Sequence, residues 1–334
     1  MLRPYSLYSF TPNIMRLSRI GEFGLINNLR SRCKSSSPDI LTGIGDDAAA
    51  VKPIRGGKSL FTSDILIEDT HFDLSLTTFY QLGWKLLAVN ISDIFAMGGR
   101  PDYFIAGLGI PAAYRSGDID ELYSGILDIA KKFKVKIIGG DTCLSKHGLV
   151  LSGTLIGSGN KVITRSNAKA GDGIFVTRTL GDSALGLELL KKGGKKVLSF
   201  SGFTPRLKLI KHHLMPEPRP LKNISRITSM IDTSDGLLID LGHICDESKT
   251  GALIYSDKIP MSPALTAAAK KTGKDPLNFA LKGGEDYALL FTAPKNIRTR
   301  AFRIGEITRT GRYIIDADGK KKSFKAEGYE HFKK

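Results

Sequence analysis

Cysteine is scarce, with three in 334 residues and none in a C-x-x-C pair, which argues against a disulfide framework and against a structural zinc site. Long apolar runs are missing too. No stretch approaches the roughly 18 residues a membrane span needs, so no membrane partner is expected. A G-x-x-x-x-G-K-[ST] loop is absent, as is the protein-kinase motif set, so any phosphate must be held by another device. Acids are missing from the start: Arg3, Arg16 and Arg19 occur among several serines before the first acid, Glu22. No apolar segment of the secretory kind follows them, which speaks against a signal peptide. For residues 1–20 the expectation is a flexible extension, or a true start at Met15, with a transit peptide the alternative on composition. The cytoplasm is the expected compartment.

What is present is ordinary in bulk and unusual in detail. Hydrophobic residues make up 41% and charged residues 25%, as in soluble globular chains. The net charge of +16 is spread over many lysines, with small clusters at 191–196 and 320–325. No aromatic residues interleave with them as in nucleic-acid readers, so no nucleic acid is expected as a partner. A basic surface would steer anionic substrates instead.

The pattern alternates strands and helices. Strands are expected over 60–63, 104–110, 135–138 and 149–156, and helices over 82–97 and 118–133. In the second helix Ile119, Leu122, Ile126, Ile129 and Phe133 form an apolar stripe, with Asp118 as cap or first-turn acid. The polar run 157–160 reads as a break. Beyond it come a strand over 173–177, a helix over 182–192, a basic loop, and a strand over 227–231. A helix over 236–248 and strands near 252–255 and 287–292 complete the pattern. The expectation is an α/β (α+β) chain in parts: the extension 1–20, an N-terminal domain 21–158 and a C-terminal α/β domain 159–334.

The most informative feature is a set of carboxylates flanked by Gly, Ser, Thr or Ala. They occur in Gly45-Asp46-Asp47, Ser63-Asp64, Ser92-Asp93, Gly140-Asp141 and Asp232-Thr233-Ser234-Asp235-Gly236. Most follow apolar runs and read as turns at strand ends. Carboxylates converging on one crevice repel and raise one another's pKa values unless cations intervene. Mg²⁺ takes oxygen ligands, typically one or two carboxylates plus substrate phosphates. The Gly139-Gly140 pair reads as a turn offering backbone N–H groups to phosphate. Ser234 or Asp235 reads as a cap for the following helix, whose N-terminus also suits phosphate.

In their order, GIGDDAAAV, TSDILIEDTHF, LLAVNISDIFAMGGRPDYFIAGLGIP, IIGGDT, RSNAKAGDGIFVT, IDTSDGLLIDL and GGEDYALLFT resemble thiamine-monophosphate kinase. That family lies within the superfamily of aminoimidazole-ribonucleotide synthetase and selenophosphate synthetase. The resemblance runs from about residue 21 to the C-terminal Gly-Tyr-Glu-His-Phe. It implies ATP-dependent phosphorylation of thiamine monophosphate, with several Mg²⁺ ions. It assigns metal binding to Asp46, Ser63, Asp64, Asp93, Asp141, Asp232 and Asp235, and ATP contacts to Tyr123, Gly140, Asp141, Arg165 and Ser234. His71, Glu285 and Tyr329 would lie on the thiamine side, and Asp141, Asp235 and Arg165 would carry the catalysis. The implied fold is an N-terminal sheet domain that dimerises into a shared barrel, then a second α/β domain completing the cleft.

Two segments depart from the family pattern: Glu68-Asp69 stands before His71 where a small residue is common, and Asn167 stands where Gly is usual. Alternatives are another ATP-dependent synthetase of the superfamily, and a non-catalytic protein binding thiamine phosphates or nucleic acid.

Overall fold

The computed structural model describes residues 28–29, 31–33, 37–42, 50–51, 57–194 and 204–326. The extension 1–20, Asp46 and Tyr329 therefore lie outside the described residues. Two short strands, β1 (Ile40–Thr42) and β2 (Ala50–Val51), pair antiparallel. Then β3 (Lys58–Ile67), helix α1 (Phe79–Ala96), β4 (Arg100–Pro111), α2 (Ser116–Phe133), β5 (Lys136–Ser145) and β6 (Val150–Gly159) follow. The four long strands form one sheet in the order β3-β6-β4-β5, antiparallel except for the parallel β4–β5 pair.

Pleating decides which side chains meet. Along β3, Leu60, Thr62, Asp64 and Leu66 point to one face and Phe61, Ser63, Ile65 and Ile67 to the other. Helix α1 covers the first face. It starts with a capping box: the Thr78 hydroxyl accepts from the Gln81 N–H, and the Gln81 amide oxygen accepts from the Thr78 N–H. From Leu82 onward it is buried almost all round, including the polar Lys85, Asn90 and Ser92. A helix buried on every side lies between layers, and α1 packs against β3, β6 and β4 on one side and α2 and the second sheet on the other. The contact with α2 is close because it passes over glycine. A Cβ on Gly83 would stand 1.8 Å from the Leu122 carbonyl oxygen, and one on Gly125 would stand 1.9 Å from that of Tyr80.

The second sheet has seven strands: β7 (Asp172–Val176), β8 (Ser229–Asp232), β9 (Gly251–Tyr255), β10 (Leu289–Pro294), β11 (Phe302–Thr308), β12 (Arg312–Ile315) and β13 (Lys321–Ser323). Their order is β13-β12-β9-β11-β7-β10-β8, with β9–β12 the parallel pair. Helices α5 (Leu237–Ser248) and α7 (Pro276–Lys282) pack against it, while α3 (Asp182–Gly193), α4 (Pro205–Leu214) and α6 (Pro263–Lys271) form a separate apolar cluster with one another. The main apolar core runs from the first sheet through α1 into Phe175, Met230, Leu289 and Phe291 of the second. No described helix is long and apolar enough to cross a membrane.

Several expectations change. Asp64 and the Gly139-Gly140-Asp141 segment lie inside strands, not in turns. Gly140 is small because a Cβ there would stand 2.3 Å from the Ala106 carbonyl oxygen of β4. The polar run at 157–160 is strand as far as Gly159, with Gly157 packed against Ile94 and the Arg100 carbonyl. The basic loop after α3 contains α4, with Thr204 as its cap and Pro205 in its first turn. Neither Ser234 nor Asp235 caps α5: the cap position is Gly236, and its N–H is taken by Asp240 at 3.0 Å.

Candidate active site

Three of the expected carboxylates meet where α1 lies between the sheets. Asp64 comes from the covered face of β3, Asp93 from the last turns of α1 and Asp232 from the end of β8. The Thr62 hydroxyl donates to Asp93 at 2.5 Å, and the Ser92 hydroxyl donates to Asp232 at 2.6 Å. Ser92 and Asp93 are thus placed to serve two neighbouring acids from one turn of helix. One oxygen of Asp64, Oδ2, is buried without a hydrogen-bond partner among the described residues.

The charges are strained. Burial, then the charge of Asp93 and a hydrogen bond with it, pushes Asp64 up to about 7. Burial and the neighbouring Asp93 likewise push Asp232 up to about 7, against the Ser92 hydrogen bond. Asp93 is raised by burial, tempered by the Thr62 hydroxyl and the positive charge of Arg165. Behind them Asp240 is raised well above its ordinary value by burial and by Asp232 and Asp235. Such a cluster lowers its free energy by taking up protons or cations. Its donors are all oxygen, the chemistry of hard cations. No three described His, Cys, Asp or Glu side chains form a ready metal cage.

Asp235 and Ser234 occupy the turn after β8. That turn is zipped to the Gly-Gly-Glu-Asp-Tyr segment: the Glu285 N–H donates to the Ser234 carbonyl at 2.7 Å and the Tyr287 N–H to that of Thr233 at 3.0 Å. Glu285 and Tyr287 both hold left-handed backbones, with φ of 63° and 48°, an outlying conformation for bulky residues. Arg165 is exposed in the loop after β6, and its backbone carbonyl accepts from Ser248 at 3.1 Å. The chain just before it is strapped down, by Ile163 N–H to the Met97 carbonyl and Met230 N–H to that of Thr164. Asn167 takes φ of 82° there, which explains its place at a glycine position, since Asn tolerates that region best among side-chain-bearing residues.

Other expected residues stand apart from the acid cluster. Asp141 pairs in register with Gly107 of β4, and Ser63 with Thr154 of β6, so both point to the uncovered face of the sheet, opposite α1. Asp141 is three strand spacings from β3 in the sheet order, about 14 Å. Tyr123 is only 3% exposed in the core, with Arg32 and Cys33 nearby, so this chain buries it as a packing residue. His71 closes a turn beyond β3, its Nδ1 accepting from the Ile67 N–H at 3.0 Å. That bond places the imidazole proton on Nε2. The departing residue Glu68 is a staple of this turn, accepting from the Tyr114 hydroxyl at 2.9 Å and the Leu149 N–H at 2.6 Å.

Sequence reasoning missed four groups here. Lys85 pairs with Glu285, and the buried His213 reaches the same carboxylate. Asp286, 1% exposed, accepts from the Ser183 N–H at 3.0 Å and anchors the start of α3. The Tyr287 phenol is pushed well above its ordinary value by burial and by Glu285, Asp232, Asp64 and Asp93. Lys85 was findable as a lone cation in the apolar Trp84-Lys85-Leu86-Leu87 run; His213 carries no such signal.

Residues 45–158 match the family model described as AIR synthase related protein, N-terminal domain. A thiamine-monophosphate kinase of Aquifex aeolicus is 36% identical, over 95% of this chain and 100% of that protein. Among solved structures, a thiamine-monophosphate kinase from Stenotrophomonas maltophilia K279a superposes with a TM-score of 0.79 at 35% identity, covering 90% of this chain and 97% of that one. Another, described as AaThiL complexed with AMPPCP and TMP, gives a TM-score of 0.75 at 33% identity, covering 95% of this chain and 99% of that one. The chain belongs to the thiamine-monophosphate kinase family.

Proposed function

We propose that this chain transfers the γ-phosphoryl group of ATP to the phosphate of thiamine monophosphate, giving thiamine diphosphate, in a Mg²⁺-dependent reaction. The observation that carries the reading is the buried Asp64–Asp93–Asp232 cluster with an oxygen of Asp64 left without a partner, in a chain with full-length kinase relatives. The acceptor is a phosphate monoester, largely ionised at neutral pH, so no general base is required. The obstacle is repulsion between two polyanions.

Several Mg²⁺ ions would be held, one by Asp64, Asp93 and Asp232, and others with Asp46, Ser63, Asp141 and Asp235 as oxygen ligands. When bound they supply charge neutralisation and alignment of an in-line transfer. The chain's own residues do the rest. Thr62 and Ser92 fix the rotamers of Asp93 and Asp232. Arg165 offers a planar, always-charged grip for the nucleotide phosphates, with Gly140, Asp141 and Ser234 also on the ATP side. Tyr123 enters as packing beneath. His71 presents its Nε2–H to the acceptor, and Glu285 and Tyr329 face the cationic ring. Holding both substrates in a near-attack arrangement can supply roughly 7–11 kcal/mol of the barrier.

The active form is a cytoplasmic homodimer in this reading. Phe61, Ile65 and Ile67 stand on the uncovered face of β3, 70%, 52% and 37% exposed. A sheet of the second copy would bury them and close a barrel. Because Asp141 and Ser63 share that uncovered face, dimerisation would also complete the site.

The test is turnover with ATP, Mg²⁺ and thiamine monophosphate, following thiamine diphosphate by chromatography with thiamine and EDTA controls. Metal-dependent diphosphate supports the reading. A folded, ATP-binding protein that makes none overturns it.

A further inference from the structure

The Lys85–Glu285 pair is an anomaly that the proposed chemistry does not use. Lys85 lies on α1 with its side chain 6% exposed, and its Nζ stands 2.7 Å from Glu285 Oε1. The other oxygen, Oε2, is 3.0 Å from Nδ1 of His213, which also contacts the Ser183 hydroxyl at 3.1 Å. Burial, and then the charge of Lys85, lowers the pKa of His213. The larger positive influence on Glu285 is that of Lys85. Although burial alone would raise it, the Lys85 charge and then His213 hold Glu285 well below the usual carboxylate range.

A buried ion pair is a poor source of stability, since desolvation offsets most of the attraction and an apolar pair packs as well. This one also opens outward, because the Glu285 side chain is 32% exposed. Its placement is directional. Lys85 and Asp93 are eight residues apart on α1, about 12 Å along the axis, a gap that a lysine stem and a metal-bridged phosphate together cover. Glu285 is tied through its backbone to Ser234, beside the same acids.

With both oxygens engaged, Glu285 has little net charge to offer a simple cation. A zwitterion differs, because it can supply each member of the pair with a new partner at once. We propose that Lys85 and Glu285 are a preset ion pair which the acceptor splits, its phosphate taking the Lys85 ammonium and its thiazolium facing the released Glu285 carboxylate. The pair then acts as a specificity device, favouring a cationic ring that carries a phosphate over the unphosphorylated ring. This rests on the reading that the acceptor is thiamine monophosphate with Glu285 at its cationic end.

The test is calorimetric titration of thiamine monophosphate and of thiamine into the full chain with Mg²⁺ and a non-hydrolysable ATP analogue. Lys85→Met is expected to keep the fold, judged by a melting temperature within a few degrees. It should weaken thiamine monophosphate by tenfold or more while thiamine binds unchanged or tighter, so the preference between them collapses. Lys85→Gln serves if the methionine variant does not fold, and Lys85→Arg should retain the preference. A folded neutral variant with the wild-type preference, or with both ligands weakened equally, overturns the exchange. If Glu285→Gln alters neither ligand, the reading of Glu285 as the cationic-end residue falls, and the exchange falls with it. If Glu285→Gln weakens the ring while the Lys85 variants behave as wild type, the exchange alone fails.

Discussion

Removing one charge from the buried acid cluster should stabilise the metal-free protein while abolishing its activity. The perturbation is Asp64→Asn, which keeps the shape of the side chain and removes the carboxylate whose Oδ2 has no partner among the described residues. In the folded chain this carboxyl is pushed from 3.8 to about 7, and holding it ionised across that interval costs at most about 4 kcal/mol. Asp93 and Asp232 share the strain, so a gain of roughly 1–3 kcal/mol is expected, several degrees in melting temperature. The sign depends on pH. An acid whose folded pKa is raised causes no loss below its unfolded value near 3.8. Its penalty grows between about pH 4 and 7 and is complete above that. The assay is thermal melting in EDTA at pH 4.5 and pH 8, repeated at pH 8 with Mg²⁺ and an ATP analogue. Asp64→Asn should melt several degrees higher than wild type at pH 8 and nearly level with it at pH 4.5. With the metal–nucleotide complex the order should reverse, because only the wild type gains by binding. A variant that melts lower than wild type in EDTA at pH 8 would refute the electrostatic reasoning.

Other outcomes follow from single positions. Asp141→Ala is expected to lower kcat about a hundredfold or more, as loss of one preorganised charge-stabilising group does, with an unchanged melting curve because the side chain is exposed; steady-state kinetics beside calorimetry checks both. His71→Ala should raise KM for thiamine monophosphate and leave that for ATP alone, and equal losses in both would move His71 off the acceptor side. Gly83→Ala places a Cβ 1.8 Å from the Leu122 carbonyl oxygen, so α1 must separate from α2. The expected loss is about 3 kcal/mol or outright insolubility, measured by urea unfolding.

The sequence revealed the acids better than the surfaces that hold them. Asp64, Asp93 and Asp232 stood out because small polar flanks are unusual around a carboxylate beside apolar runs, and the structure gathers them. Their local setting was misread, since Asp64 and Asp141 lie within strands. Strand pleating, not turn geometry, sends Asp64 to the covered face and Asp141 to the other. Gly140 reads from sequence as a phosphate-binding turn glycine, whereas the structure shows a strand glycine whose size is set by Ala106. Helix α1 was legible from its periodicity, but the meaning of Lys85 on it was not. A lone lysine in an apolar run gains significance only when Glu285, two hundred residues on, arrives in the segment that leads into β10. His213 lay in what read as a basic loop, because α4 is short and its cap and proline signals were overshadowed by lysines. Asn167 and Glu68, marked as departures, have local explanations in a left-handed turn and a hydrogen-bonded staple.

The most direct test of the central claim is ³¹P NMR of the purified chain with ATP, thiamine monophosphate and Mg²⁺, against the same mixture in excess EDTA. The account predicts that the acceptor's monophosphate signal is replaced by the two coupled signals of a diphosphate as ATP becomes ADP, one for one, only when Mg²⁺ is present. ATP consumption that releases inorganic phosphate and leaves the acceptor untouched would contradict it.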